Sequence, residues 1–185
     1  MVIAGIDEAG RGPLAGPVVA AAVILPDNFL LTGLNDSKKI SPKKRESLYP
    51  LIMQQAVSYH IALAEPGEID QLNIHYATLL AMQRALEGLK IQPTFIQVDG
   101  KFLPKTHIPG KAIIGGDGSE PAISAASVLA KVYRDHLMDA LDAQYPQYGF
   151  KQHKGYPTAT HIAALKKFGP CPVHRISYQP VQAVL

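Results

Sequence analysis

Three times this chain closes an apolar, β-rich run on a carboxylate flanked by glycine. Asp7-Glu8 stands before Ala9-Gly10, Asp99 before Gly100, and Asp117 within Gly115-Gly116-Asp117-Gly118. Ionised carboxylates resist leaving water unless something compensates them. A hard divalent cation, which takes oxygen ligands, is the simplest compensation. Taken singly, each acid has a plainer reading: the Asp7-Glu8 pair opens a solvated, glycine-rich turn, and Asp-Gly after a strand is an ordinary turn signal. Taken together they form a pattern. If the first, fourth and fifth strands run parallel, their C-terminal ends lie side by side at the edge where open α/β sheets bind ligands. Four converging carboxylates raise one another's pKa unless cations intervene. Two Mg²⁺ or Mn²⁺ ions about 3.5–4 Å apart would neutralise them and clamp a phosphate for in-line attack. Cys/His clusters with zinc-ligand spacing, a Ser/His/Asp arrangement, Gly-x-Gly-x-x-Gly and a P-loop are all missing. The expected chemistry is metal-assisted phosphodiester hydrolysis, with Asp7, Glu8, Asp99 and Asp117 as catalytic and metal-holding residues.

Other residue types suit a nucleic-acid backbone. Gly10 and Gly12 permit close approach of their backbone N–H groups, and Arg11 between them brings a forked donor for phosphate oxygens. A basic run, Lys38, Lys39, Lys43, Lys44 and Arg45, gathers at a helix entry, either as a solvated face or as a phosphate-tracking patch. Ser124, Ser127 and Lys131 share one helix face, as its polar edge or as phosphate contacts. From Tyr145 to Thr158, aromatic and basic residues interleave (Tyr148, Phe150, Lys151, His153, Lys154, Tyr156), which fits sugars and bases or a packed surface loop.

The elements that must position these groups read as an α/β layer fold. Strands are expected over Val2–Ile6, Val18–Leu25, Val57–Ala64, Thr94–Val98 and Lys111–Ile114. A helix over Pro42–Gln55, capped by Ser41, contains Pro50, which should kink or split it. Asn73 is expected to cap an amphipathic helix whose apolar positions run from Ile74 through Ala77, Ala81 and Met82 to Leu89. Further helices are expected over Pro121–Ala143, with Ser119 or Glu120 as cap, and over Ala159–Phe168, stopped by Gly169-Pro170.

At 185 residues, 47% hydrophobic and 18% charged, the chain reads as one compact domain, residues 1–185, with a C-terminal part from about 145 to 185. The formal charge of +3 permits a nucleic-acid partner without requiring one. The single cysteine, Cys171, excludes an intrachain disulfide and suits a reducing compartment. Val18 to Leu25 is too short to span a bilayer, and the acidic strand begins too early to leave room for a signal peptide. The expectation is a cytoplasmic protein without membrane association, with a monomer as the default.

Residues 5–17, Gly-Ile-Asp-Glu-Ala-Gly-Arg-Gly-Pro-Leu-Ala-Gly-Pro, resemble the signature of the type 2 ribonucleases H, the ribonuclease HII family. Asp36-Ser37-Lys38-Lys39, residues 124–135, Lys154-Gly155-Tyr156-Pro157-Thr158 and the tail from His174 to Val181 resemble its bacterial members. The resemblance implies a ribonuclease H-like mixed five-stranded sheet flanked by helices, with a small helical C-terminal part. It implies cleavage of RNA in RNA–DNA hybrids, and 5′ of single ribonucleotides embedded in duplex DNA, leaving 3′-hydroxyl and 5′-phosphate ends. Gly10, Arg11 and Gly12 would sense the 2′-hydroxyl, Tyr156 would pack on the deoxyribose that follows, and Lys38 would lie near substrate. The alternative of a non-catalytic binding module is disfavoured because all four expected acids are present. Two departures stand out: Gly115 replaces an expected lysine, and Tyr178 an expected phenylalanine.

Overall fold

The computed structural model describes residues 1–31, 33–34 and 40–185. Five strands form one sheet in the order β3-β2-β1-β4-β5. They are β1 (Ile3–Ala9), β2 (Val18–Ile24), β3 (Ser58–Ala64), β4 (Phe95–Asp99) and β5 (Gly110–Ile113). β2 runs antiparallel to both β1 and β3, whereas β1, β4 and β5 are parallel. This is the mixed sheet that the resemblance implies, and it brings the ends of β1, β4 and β5 to one edge.

β2 explains why the sheet needs cover on both faces. Its seven residues, Val-Val-Ala-Ala-Ala-Val-Ile, are all buried. Strand alternation sends Val18, Ala20, Ala22 and Ile24 to one core, with Ala77, Ala81, Met82 and Ala85 of α2 (Pro66–Glu87). Val19, Ala21 and Val23 face the other core, with Leu48 and Ile52 of α1 (Pro42–Gln55) and Leu129 of α4 (Pro121–Gln144). In β1, Gly5 allows α4 to pack against the strand, since a Cβ there would lie 2.2 Å from the Ala122 carbonyl carbon.

Of the two outcomes expected at Pro50, a split does not occur: α1 continues through it as one element. α2 begins earlier than expected, at Pro66, and bends at Asn73, whose φ of 69° and ψ of 166° interrupt the helix. The Asn73 side chain still accepts a hydrogen bond from the Tyr76 N–H (3.1 Å), so it caps the second half as its residue type suggests.

After β5 come a single turn, α3 (Gly116–Ser119), and then α4. The C-terminal part adds α5 (Phe150–His153), α6 (Ala159–Phe168) and α7 (Gln179–Gln182). Tyr148 and Phe150 pack with Met138 of α4 in a third core, and Leu14, Leu165 and Val181 form a fourth. Backbone hydrogen bonds from Gly16 to Val173 (2.9 Å) and from Arg175 to Leu14 (2.8 Å) fasten this part to the loop after β1. Among the described residues, no helix is long and apolar enough to cross a membrane.

Candidate active site and nucleic-acid groove

β1 extends further than its apolar run suggests, so Asp7 and Glu8 lie inside the strand rather than beyond its end. They pair in register with Ala21 and Ala20, whose small side chains do not crowd them. On the other side the parallel register pairs Ile6 with Val98, and one residue further along stand Asp7 and Asp99. Oxygens of Asp7, Glu8 and Asp99 accordingly lie within 4.8 Å of one another.

The fourth expected acid is arranged differently. Asp117 stands outside this trio, on the α3 turn, where its backbone N–H donates to Asp99 Oδ1 (3.2 Å). Gly115 begins that turn at φ 69°, a conformation glycine adopts without strain, so the departure at this position has a local backbone role. Ser124 does not reach the groove as a phosphate contact would. It is 1% exposed, and its hydroxyl lies 2.5 Å from the Asp117 carbonyl and 3.1 Å from that of Glu120, bracing the turn that carries Asp117.

The electrostatics of the trio pose a charge-compensation problem. Burial, then the neighbouring charges of Glu8 and Asp99, hold the Asp7 carboxyl well above the usual range. Burial also raises Glu8, opposed by its hydrogen bond with Asp7 and by Arg11, whose Nη1 is 4.0 Å from Glu8 Oε1. Glu8 Oε2 is buried without a hydrogen-bond partner among the described residues. Hard oxygen donors, mutual repulsion and an orphaned carboxylate oxygen fit a divalent cation. Asp7, Glu8 and Asp99 are the residues that could hold it.

The Gly10-Arg11-Gly12 loop is held from beneath by two fully buried arginines that sequence reasoning missed. Arg175 donates to the carbonyls of Gly10 (2.6 Å), Arg11 (3.1 Å) and Gly16 (2.9 Å). Tyr178 Oη donates to the Arg11 carbonyl as well (2.6 Å). Arg134 of α4 donates to Pro17 (3.0 Å), Lys154 (2.8 Å) and Ala15 (2.9 Å). In a trans peptide the N–H points opposite to the C=O. With the Gly10 and Arg11 carbonyls drawn towards Arg175, the N–H groups of Arg11 and Gly12 face the other way. Gly10 has φ 95°, and a Cβ there would lie 2.1 Å from Arg134 Nε, so glycine is required by both backbone and space. Burial lowers the pKa of both arginines, Arg134 to about 10, which still leaves it charged at neutral pH.

Above the loop opens a cleft of about 410 Å³ lined by Gly10, Arg11, Gly12, Arg45, Lys131 and Tyr156. The Tyr156 ring would lie 3.5 Å from a Cβ at Gly12, and Lys131 Nζ is 5.7 Å from the ring centroid. Lys131 also pairs with Asp135 at 3.1 Å. Of the interleaved aromatic and basic loop, Tyr148, Phe150 and His153 belong to the core, leaving Tyr156 as the aromatic ring that reaches the cleft. Lys38, expected near substrate, lies outside the described residues.

A buried histidine relay supports Tyr156 from below. The Tyr156 carbonyl can only accept, so His161 Nδ1 donates to it (2.9 Å) and His161 Nε2 must accept from His174 Nε2 (2.9 Å). His174 Nδ1 in turn accepts from the Cys171 N–H (2.9 Å). His153 stacks on His161 at 4.4 Å and accepts from the Gly155 N–H (3.1 Å). Both His161 and His174 are held neutral, mainly by burial, and the His174 pKa falls to about 4.

The family model of Ribonuclease HII matches residues 4–181, nearly the whole chain. The chain belongs to the ribonuclease HII family. It is 58% identical over 184 residues to Ribonuclease HII of Dichelobacter nodosus, covering 100% of this chain and 97% of that one. It is also 58% identical over 183 residues to Ribonuclease HII of Desulfitobacterium hafniense, covering 99% of this chain and 70% of its relative. The solved structure of ribonuclease H2 from Pyrococcus horikoshii OT3 superposes with a TM-score of 0.84 at 28% identity, covering 100% of this chain and 97% of that one. Ribonucleases HII are metal-dependent hydrolases acting on RNA, and ribonucleases H act on RNA–DNA hybrids. The carboxylate trio is the acidic cluster that such metal dependence needs.

Proposed function

We propose that this enzyme cuts the RNA strand of RNA–DNA hybrids, and cuts 5′ of single ribonucleotides embedded in duplex DNA, leaving 3′-hydroxyl and 5′-phosphate ends. The observation that carries this reading is the convergence of Asp7, Glu8 and Asp99 oxygens within 4.8 Å beside a loop whose N–H groups are turned outward. Two Mg²⁺ or Mn²⁺ ions held there would supply an activated water and neutralise charge on the leaving 3′-oxygen. Asp7, Glu8 and Asp99 hold them, and Asp117, tied through its N–H to Asp99, completes the set.

The rest of the reaction is positioning. Arg11 and Gly12 N–H groups meet the 2′-hydroxyl, the group that distinguishes RNA from DNA. Tyr156 packs on the deoxyribose that follows, while Lys131, and Lys38 from the segment before α1, neutralise phosphate charge. Such an activity would remove misincorporated ribonucleotides and primer RNA.

The test is a labelled DNA duplex carrying one ribonucleotide, incubated with Mg²⁺, Mn²⁺ or chelator, alongside an all-DNA duplex and the Asp7→Asn and Asp99→Asn variants. Metal-dependent incision 5′ of the ribonucleotide, lost in both variants, is the expected result. Binding without cleavage under every metal would replace the catalytic reading with that of a binding module. Equal cutting of the all-DNA duplex would refute the roles given to Arg11, Gly12 and Tyr156.

A further inference from the structure

Beside the cleft over Gly10–Gly12, a second, shallow depression is lined by Glu8, Arg11, His75, Asp99, Lys101 and Phe102. Glu8 and Arg11 border both depressions and Asp99 lines the second, so the two adjoin at these acids. Gly100, at φ 105°, turns the chain immediately after Asp99 and carries Lys101 and Phe102 out over α2. Phe102 is 56% exposed, yet its ring is held in place, edge-on to His75 at 4.6 Å and 78°. His75 in turn meets Tyr76 edge-on at 4.9 Å. A braced but exposed aromatic ring three residues after a metal-holding aspartate, with Lys101 beside it, is unexplained by packing of the core.

We propose that Phe102, seated on His75, is a second sugar-binding shelf that holds the cleaved strand on the 5′ side of the scissile phosphate. The inference rests on the proposed ribonucleotide cleavage, because that reading places the ribonucleotide at Gly10–Gly12 and the nucleotide after it at Tyr156. A strand that leaves Tyr156 and passes the acids runs on into the depression that adjoins them at Glu8 and Asp99. In a duplex the bases are stacked on one another, so the surface offered to a flat ring is the apolar face of a sugar, with its phosphates near Lys101 and Arg11. Such a contact is indifferent to sequence. Tyr156 and Phe102 thus grip the strand on either side of the reacting phosphate, and neither takes part in the bond change.

The experiment uses duplexes with one ribonucleotide whose upstream arm on the cleaved strand is either long or cut back to one deoxynucleotide, the complementary strand staying full length. Phe102→Ala is expected to lower kcat/KM about fivefold to tenfold on the long-armed duplex, chiefly through KM, the lower end of what removing one ring from a nucleotide costs. On the short-armed duplex the variant and the parent should be equal. Shortening the downstream arm should affect both alike, and Phe102→Trp should restore the parent value. An unchanged kcat/KM in Phe102→Ala, or an equal deficit on both upstream arms, overturns the shelf. Failure of the parent enzyme to cut either duplex overturns the cleavage reading, and the shelf with it.

Discussion

Acid should unfasten the C-terminal part of this enzyme through His174. The ring is 2% exposed and accepts at Nδ1 from the Cys171 N–H while donating at Nε2 to His161. A proton added at Nδ1 would face the Cys171 N–H, and burial, followed by the proximity of His161, holds the pKa at about 4 against an ordinary 6.5. The folded state therefore favours the neutral ring. Above pH 6.5 that preference costs nothing, because the unfolded chain is neutral as well. As pH falls from 6.5 towards 4, the unfolded chain takes up a proton that the folded protein refuses, and stability declines. Two and a half pH units at about 1.36 kcal/mol each come to about 3 kcal/mol, and about 2 kcal/mol is expected once partial solvent relaxation is allowed for. The assay is urea unfolding across this window for the parent and for His174→Asn, whose amide oxygen can still accept from Cys171. Subtracting the two curves removes the carboxylates common to both, including Asp7 and Glu8, whose raised pKa values act in the opposite direction. The parent should lose about 2 kcal/mol more than the variant between neutral pH and the lower end of the window. Parallel curves would refute the neutral relay.

Two further outcomes follow from the acids and the loop. Because burial and neighbouring charges work against ionised Asp7, Asp7→Asn in chelator should melt about 2–4 °C higher than the parent if about 1 kcal/mol is released, while losing any Mn²⁺-induced shift. Calorimetry with and without Mn²⁺ checks this, and a lower melting point in chelator would count against it. Gly10→Ala sets a Cβ 2.1 Å from Arg134 Nε at a φ of 95° and should cost about 3–5 kcal/mol in denaturant unfolding. Gly12→Ala, with its Cβ 3.5 Å from the Tyr156 ring, should keep native stability and lose substrate affinity. Equal stability of the two variants would show that the arginine clamp is not rigid.

The sequence by itself determined the strands, most helix limits and the acids, because these are local properties. The all-apolar β2, the Pro at the start of α1 and α4, and the caps at Ser41 and Asn73 each act within one or two turns of chain. The cap at Asn73 itself looks like a beginning, which masks residues 66–72, the part of α2 before it. Where side chains go was decided by tertiary structure. Nothing local to α4 marks Arg134 as buried, and only the convergence of three carbonyls from residues 15, 17 and 154 makes it a fully buried strut. His153, His161 and His174 have no informative spacing, yet they stack and relay beneath Tyr156. Ser124 and Lys131 share a helix face, but the packing of α3 buries the first and leaves the second beside the cleft. Parallel pairing of β1 with β4 gathers Asp7, Glu8 and Asp99, which the sequence separates by some ninety residues. Local patterns fix which backbone conformation each segment prefers, whereas burial and charge compensation depend on what arrives from far along the chain.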